Sequence, residues 1–179
     1  MIGHVHALSL SRDHRFSKDR VRRVEIVAGH GVAGDAHAGT TVQHLSRIRA
    51  NPAQPNLRQV HLIHNELLQC LGSAGFAIAP GDLGENITTS GIDLLDLPTG
   101  TLLRIGGAVL EVTGLRNPCA QIESFRPGLL KQVARRRPDG SIERLAGIMA
   151  IAREGGSIEV GEAIAVHLPP PPYRALAPV

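Results

Sequence analysis

Apolar and polar positions alternate along most of this chain, and one stretch carries a helical period. Ile2 to Leu10 alternates loosely and predicts a first strand with His4 and His6 on one face. A polar run, Ser11 to Lys18, separates it from Val21 to Ala28, a second strand in which Val24 and Ile26 share a face. Val60, Ile63, Leu67 and Leu71 recur at helical spacing. They predict an amphipathic helix with Asn56 as N-cap, Gln59 in the capping-box position, and Gly72 and Gly75 at its end. Cys70, at the edge of that apolar stripe, reads as structural. Leu102 to Ile105 and Ala108 to Thr113 flank Gly106-Gly107, a two-residue hairpin signal. In that register Leu103, Ile105, Ala108, Leu110 and Val112 face the core, while Arg104 stands diagonal to Glu111 on the other face.

Within Ile122 to Arg137 a second helix is expected from about Gly128, with Lys131 and Arg135 to Arg137 near its negative pole. Pro138-Asp139-Gly140 reads as a turn. Ala146 to Ala152, Ser157 to Val160 and Ala163 to Leu168 close the domain as apolar strands. Pro169 to Pro172 then starts a tail expected to lack regular structure. Many short strands with two helices predict a mainly β, α+β domain over residues 1–168, barrel-like with helices packed on it, and a Pro-rich tail over 169–179.

At 179 residues the chain is long enough to bury a core. Three Phe, one Tyr and no Trp leave few stacking platforms for single-stranded nucleic acid, and no nucleic-acid partner is expected. The net charge of +3 points to anionic ligands without requiring a polyanion. Two cysteines, Cys70 and Cys119, offer no disulfide framework and suit a reducing, cytoplasmic location. The N-terminus lacks the charged region and apolar run of a signal peptide, and no apolar stretch approaches membrane-spanning length.

Three segments carry candidate chemistry. Gly29 to Gly39 holds four glycines in eleven residues around Asp35 and His37, a density suited to sharp turns or close approach to a ligand. Pro80 to Thr89 sets Asp82, Glu85 and Asn86 beside Gly81 and Gly84, whose loop amides would form an anion-binding nest. Arg116-Asn117-Pro118-Cys119 presents a thiol on a stiff approach beside a permanent cation. Such a cysteine suits a nucleophile, a sulfur carrier or a soft-metal ligand, or else a small buried apolar group.

Taken together, in this order and spacing, these three segments resemble the MOSC domain, the C-terminal domain of molybdenum-cofactor sulfurases, over about Met1 to Leu168. The resemblance implies a compact, strongly bent β-barrel and a cysteine that handles sulfur or molybdenum. The pyridoxal-phosphate desulfurase domain of the sulfurases has no counterpart in these 179 residues, so pyridoxal phosphate is not expected. The chain looks like a stand-alone member, similar to small bacterial proteins linked to tolerance of N-hydroxylated purines.

Two versions of the chemistry follow from the resemblance. In one, Cys119 ligates molybdenum in a bound pyranopterin cofactor and the site reduces N-hydroxylated small molecules, supplied with electrons by a separate electron-transfer protein. Arg116, Asn117 and the Gly81, Asp82, Gly84, Glu85 and Asn86 loop would hold that cofactor, with Asp35 and His37 at or near it. In the other, Cys119 carries a persulfide from a cysteine desulfurase to a metal cofactor. A zinc site on His37, His44, His61 and His64, and a non-catalytic adaptor, are the readings from other classes.

Overall fold

The computed structural model describes residues 2–179, with Ser46 described through its backbone only. Strand β1 (Ile2–Leu10) is buried at Val5, Ala7 and Leu8, as the alternation predicts. The second apolar segment divides into β2 (Asp19–Val21) and β3 (Arg23–Val27), and Val24 and Ile26 share the buried face of β3. Within the glycine-rich segment lies a two-residue strand, β4 (Gly31–Val32). A short helix, α1 (Leu45–Ala50), follows.

The expected helix from Asn56 onward is corrected. Its first half is strand β5 (Val60–His64), and only Asn65–Ser73 is helical (α2). Val60 and Leu62 enter one core cluster and Ile63 the other, so β5 is buried on both faces. A strand of that kind reads as a continuous apolar run, which helical spacing also matches. Asn56 and Gln59 therefore cap nothing. Asn56 donates to the carbonyls of His37 and Gly39, and Gln59 ties Gly29 O to Ala152 N. Cys70 is exposed on α2 rather than packed.

Strand β6 (Ile87–Ser90) pairs in parallel with β5. The hairpin of β7 (Leu102–Ile105) and β8 (Ala108–Leu115) has the expected register, Leu103 opposite Leu110 and Ile105 opposite Ala108. Its predicted surface pair is redistributed: Arg104 meets Glu154 at 3.5 Å, and Glu111 meets Arg153.

The expected second helix is also different. Helix α3 (Ala120–Phe125) starts directly after Cys119, and Arg126-Pro127-Gly128 separates it from α4 (Leu129–Val133). Gly128 adopts φ 86°, a conformation that stops one helix and lets the next begin. Arg135 and Arg136 lie in strand β9 (Ala134–Arg136), hairpinned to β10 (Ile142–Arg144), and do not face a helix pole. Strands β11 (Ile148–Glu154), β12 (Gly156–Glu159) and β13 (Ala163–His167) complete the chain.

Strands β13, β7, β8, β11, β5, β6 and β1 pair in that order, and β1 pairs back with β13 through Ile2–Ala165, Gly3–Ile164 and His4–Ala163. The result is a closed seven-stranded barrel, mainly β with a few short helices. Strand β2 extends it from β1, and β12-β3-β4 form a small sheet whose Val24, Ile26, Val32 and Ile158 join the barrel's core. Helices α2, α3 and α4 pack Leu67, Leu71, Ile122, Leu129 and Val133 against Ile63 on the outside of β5. From Pro169 the chain has little regular structure, yet it is anchored: Leu115 N donates to Ala177 O, and Val179 N donates to Leu115 O.

Candidate functional site

Strand β8 ends at Leu115, and the next residues turn into a cavity of about 250 Å³ between the barrel end and the 37–58 segment. Arg116 is held by its backbone, whose N–H donates to Gly147 O at 3.0 Å. Its side chain runs inward, 7% exposed, with its guanidinium 5.9 Å from the Phe16 ring centre. Nη1 of Arg116 has no hydrogen-bond partner among the described residues. Burial pulls the guanidinium's pKa down, while the charges of Cys119 and Glu85 draw it back up. A buried cation with an unused donor is costly unless a ligand completes it.

Cys119 sits half-buried at the N-terminal end of α3 and also lines the cavity. Its thiol donates to Gln121 Oε1 at 3.5 Å. Arg58, which sequence reasoning missed, lines the same space. Burial, then the repulsion of Arg47 and Arg116, pushes the Arg58 guanidinium down to about 10, with Cys119 acting in the opposite direction. The cation remains charged at neutral pH. The lining holds Arg15, Lys18, Arg47, Arg58 and Arg116, and no carboxylate.

The glycine-rich segment contributes differently from the loop after it. His37 lines the cavity, whereas Asp35 lies behind it. Asp35 accepts from Lys18 Nζ at 2.9 Å, Asn86 Nδ2 at 3.0 Å and the backbone N–H of Ser11 at 3.2 Å. Burial alone would raise its pKa, but His37 and Lys18 hold the carboxyl well below the usual range. Asn86 lines the cavity while fastening strands together, donating to Ser9 O and accepting from His61 N.

The loop amides do not form the expected nest. Gly81 N is spent on Glu85 Oε1 at 2.6 Å, Asp82 N on Ala79 O, Gly84 N on Gly81 O and Asn86 N on His61 O. Gly81, Asp82 and Glu85 stay out of the lining, and only Gly84 and Asn86 of that group reach it. Their work is local. A Cβ on Gly84 (φ 83°) would lie 2.6 Å from Phe16 O, so this glycine lets the loop lie flat on the segment that carries Phe16 and Lys18. Asp82 closes its turn by accepting from Ala79 N, and buried Glu85, its pKa raised by burial, accepts from Thr88 as well. Asn117 lines the rim and accepts from Arg144 Nε at 2.9 Å.

Of the four histidines of the zinc reading, His37, His44 and His61 line the cavity and His64 does not. His61 is buried against Ala146 O at 2.8 Å, His64 precedes α2, and no group of three metal-ligating side chains occurs among the described residues. None of the described helices is long and apolar enough to cross a membrane.

Comparison with known proteins bears on the family and the fold. The MOSC domain model matches residues 35–165. The chain belongs to the MOSC domain family. That family is associated with binding of the molybdenum cofactor. Among solved structures, YuaD from Bacillus subtilis superposes with TM-score 0.76 at 24% identity, covering 95% of this chain and 98% of that one. YiiM from Geobacillus stearothermophilus and YiiM from Escherichia coli each give TM-score 0.61 at 16% identity. They cover 92% and 96% of this chain, and 75% and 73% of their own. At these identities the likeness is one of fold. No functionally curated sequence matches the chain.

The donor set of this MOSC domain fits the cofactor associated with its family. A thiol is a suitable soft ligand for molybdenum, and the unused Nη1 of Arg116 with Arg58 beside it suits a phosphate.

Proposed function

We propose that the cavity binds the molybdenum cofactor, with Cys119 as thiolate ligand of the metal and Arg58 and Arg116 on the phosphate. So loaded, the protein reduces N-hydroxylated small molecules such as N-hydroxylated purines. The observation that carries this reading is a thiol and a buried, incompletely bonded guanidinium lining one carboxylate-free cavity. When bound, the cofactor supplies a redox-active metal. In the net reaction the N–O bond breaks, two electrons and two protons enter, and an N–H product and water leave. The electrons come from a separate electron-transfer protein. This chain contributes binding and orientation: Arg116 is fixed at the end of a barrel strand, and the Lys18–Asp35 pair braces the wall behind His37.

The half-exposed position of Cys119 supports a second reading, in which a desulfurase reaches the thiol and leaves a persulfide on it. One comparison separates the two. Protein is purified anaerobically from a molybdenum-replete host, as wild type and as Cys119→Ser, and its metals and cyanide-labile sulfur are measured. Near-stoichiometric molybdenum that falls in the variant supports the reductase. Labile sulfur without molybdenum, lost in the variant, supports the carrier. Zinc retained equally in both overturns both cysteine-centred readings.

A further inference from the structure

The cavity holds more positive charge than a cofactor phosphate calls for. Lys18 is spent on Asp35 at 2.8 Å, and Arg15 on Asp19 and on Ser11 Oγ. The reading above gives Arg58 and Arg116, which line the same cavity as Cys119, to the cofactor. Arg47 remains. It enters the lining from α1, and no carboxylate lies within ion-pair reach of it among the described residues. The surroundings offer none either, because residues 36–65 contain no Asp or Glu while carrying His37, His44, Arg47, Arg49, Arg58, His61 and His64. Arg47 is also near enough to Arg58 and His44 to oppose their protonation. Arginines lining one cavity that holds no carboxylate favour an anionic occupant.

We propose that the substrate brings that anion, and that Arg47 selects it: the compound reduced is a nucleoside monophosphate with an N-hydroxylated base, in preference to the free base or nucleoside. This rests on the reductase reading of the same cavity. A guanidinium meets a phosphate through two parallel hydrogen bonds, which a neutral ribose does not offer.

The test uses the protein as purified, with molybdenum assayed on each sample. Binding of N6-hydroxyadenine, its nucleoside and its 5′-monophosphate is measured by calorimetry, and their turnover alongside, for wild type, Arg47→Gln and Arg47→Lys. The monophosphate is expected to bind about tenfold or more tightly than the nucleoside. That margin should vanish in Arg47→Gln and partly return in Arg47→Lys, with molybdenum content unchanged. Equal affinity for the three compounds, or a margin that survives Arg47→Gln, overturns the inference. Loss of molybdenum in Arg47→Gln also overturns it, since Arg47 would then serve the cofactor. A phosphate margin that depends on Arg47 but comes with no turnover upholds the anion site and overturns the reductase reading instead.

Discussion

The role proposed for Arg116 in binding opposes its role in folding. Its charge is buried beside Glu85 and Cys119 with one donor unused, an arrangement that destabilises the ligand-free protein. Arg116→Met is therefore expected to keep or raise the ligand-free melting temperature while the purified protein loses its molybdenum, read by calorimetry and metal analysis. The Lys18–Asp35 pair behaves in the opposite way. Both side chains are shielded from solvent, at 2% and 0% exposure, so Asp35→Asn strands a buried ammonium and should cost about 3–5 kcal/mol in urea unfolding. Acid acts through the same groups. Burial, and then Arg116, keeps His61 from taking up a proton in the fold. The unfolded chain binds that proton below about pH 6.5, so stability falls as the pH drops from 7 towards 5. The depressed Asp35 carboxyl adds a further loss below about pH 4. In His61→Gln the urea midpoint should vary less between pH 7 and 5.

At the level of elements, the site depends on the junction where β8 leaves the barrel. Gly147, at φ 90°, accepts from Arg116 N, and a Cβ there would fall 2.1 Å from Leu62 O. Gly147→Ala forces β5 and β11 apart at the point that fixes Arg116. It should cost about 2 kcal/mol or more and lower cofactor retention together with stability. This junction also marks where sequence reading succeeded and failed. The β7–β8 hairpin was legible, because Gly106-Gly107 and strict alternation define both turn and faces. Strand β5 was not, because burial on both faces removes the alternation that separates strand from helix. Cys119, Arg116 and His37 stood out through their local company. Lys18, Arg47 and Arg58 did not, since nothing near them in sequence shows that three distant segments converge on one cavity. The one available signal was negative, the absence of carboxylates from residues 36–65.

For the molecule as a whole, the barrel-like class followed from the count of short strands, but its closure did not, because pairing between β1 and β13 spans nearly the full chain. The C-terminal tail is similarly long-range. Its bonds at Leu115, with Thr99 N donating to Arg174 O, tie the last residues to the strand that delivers Arg116. Deleting residues 174–179 should lower stability by about 1–3 kcal/mol and raise amide exchange at Leu115 and Arg116. The seam between β1 and β13 has a consequence for synthesis. Strand β1 is made about 160 residues before its partner β13, so a chain still on the ribosome exposes the edges of β1 and β7 until residues 163–167 emerge. Slow translation or a stall before that point prolongs the interval in which those edges can pair with the wrong strand.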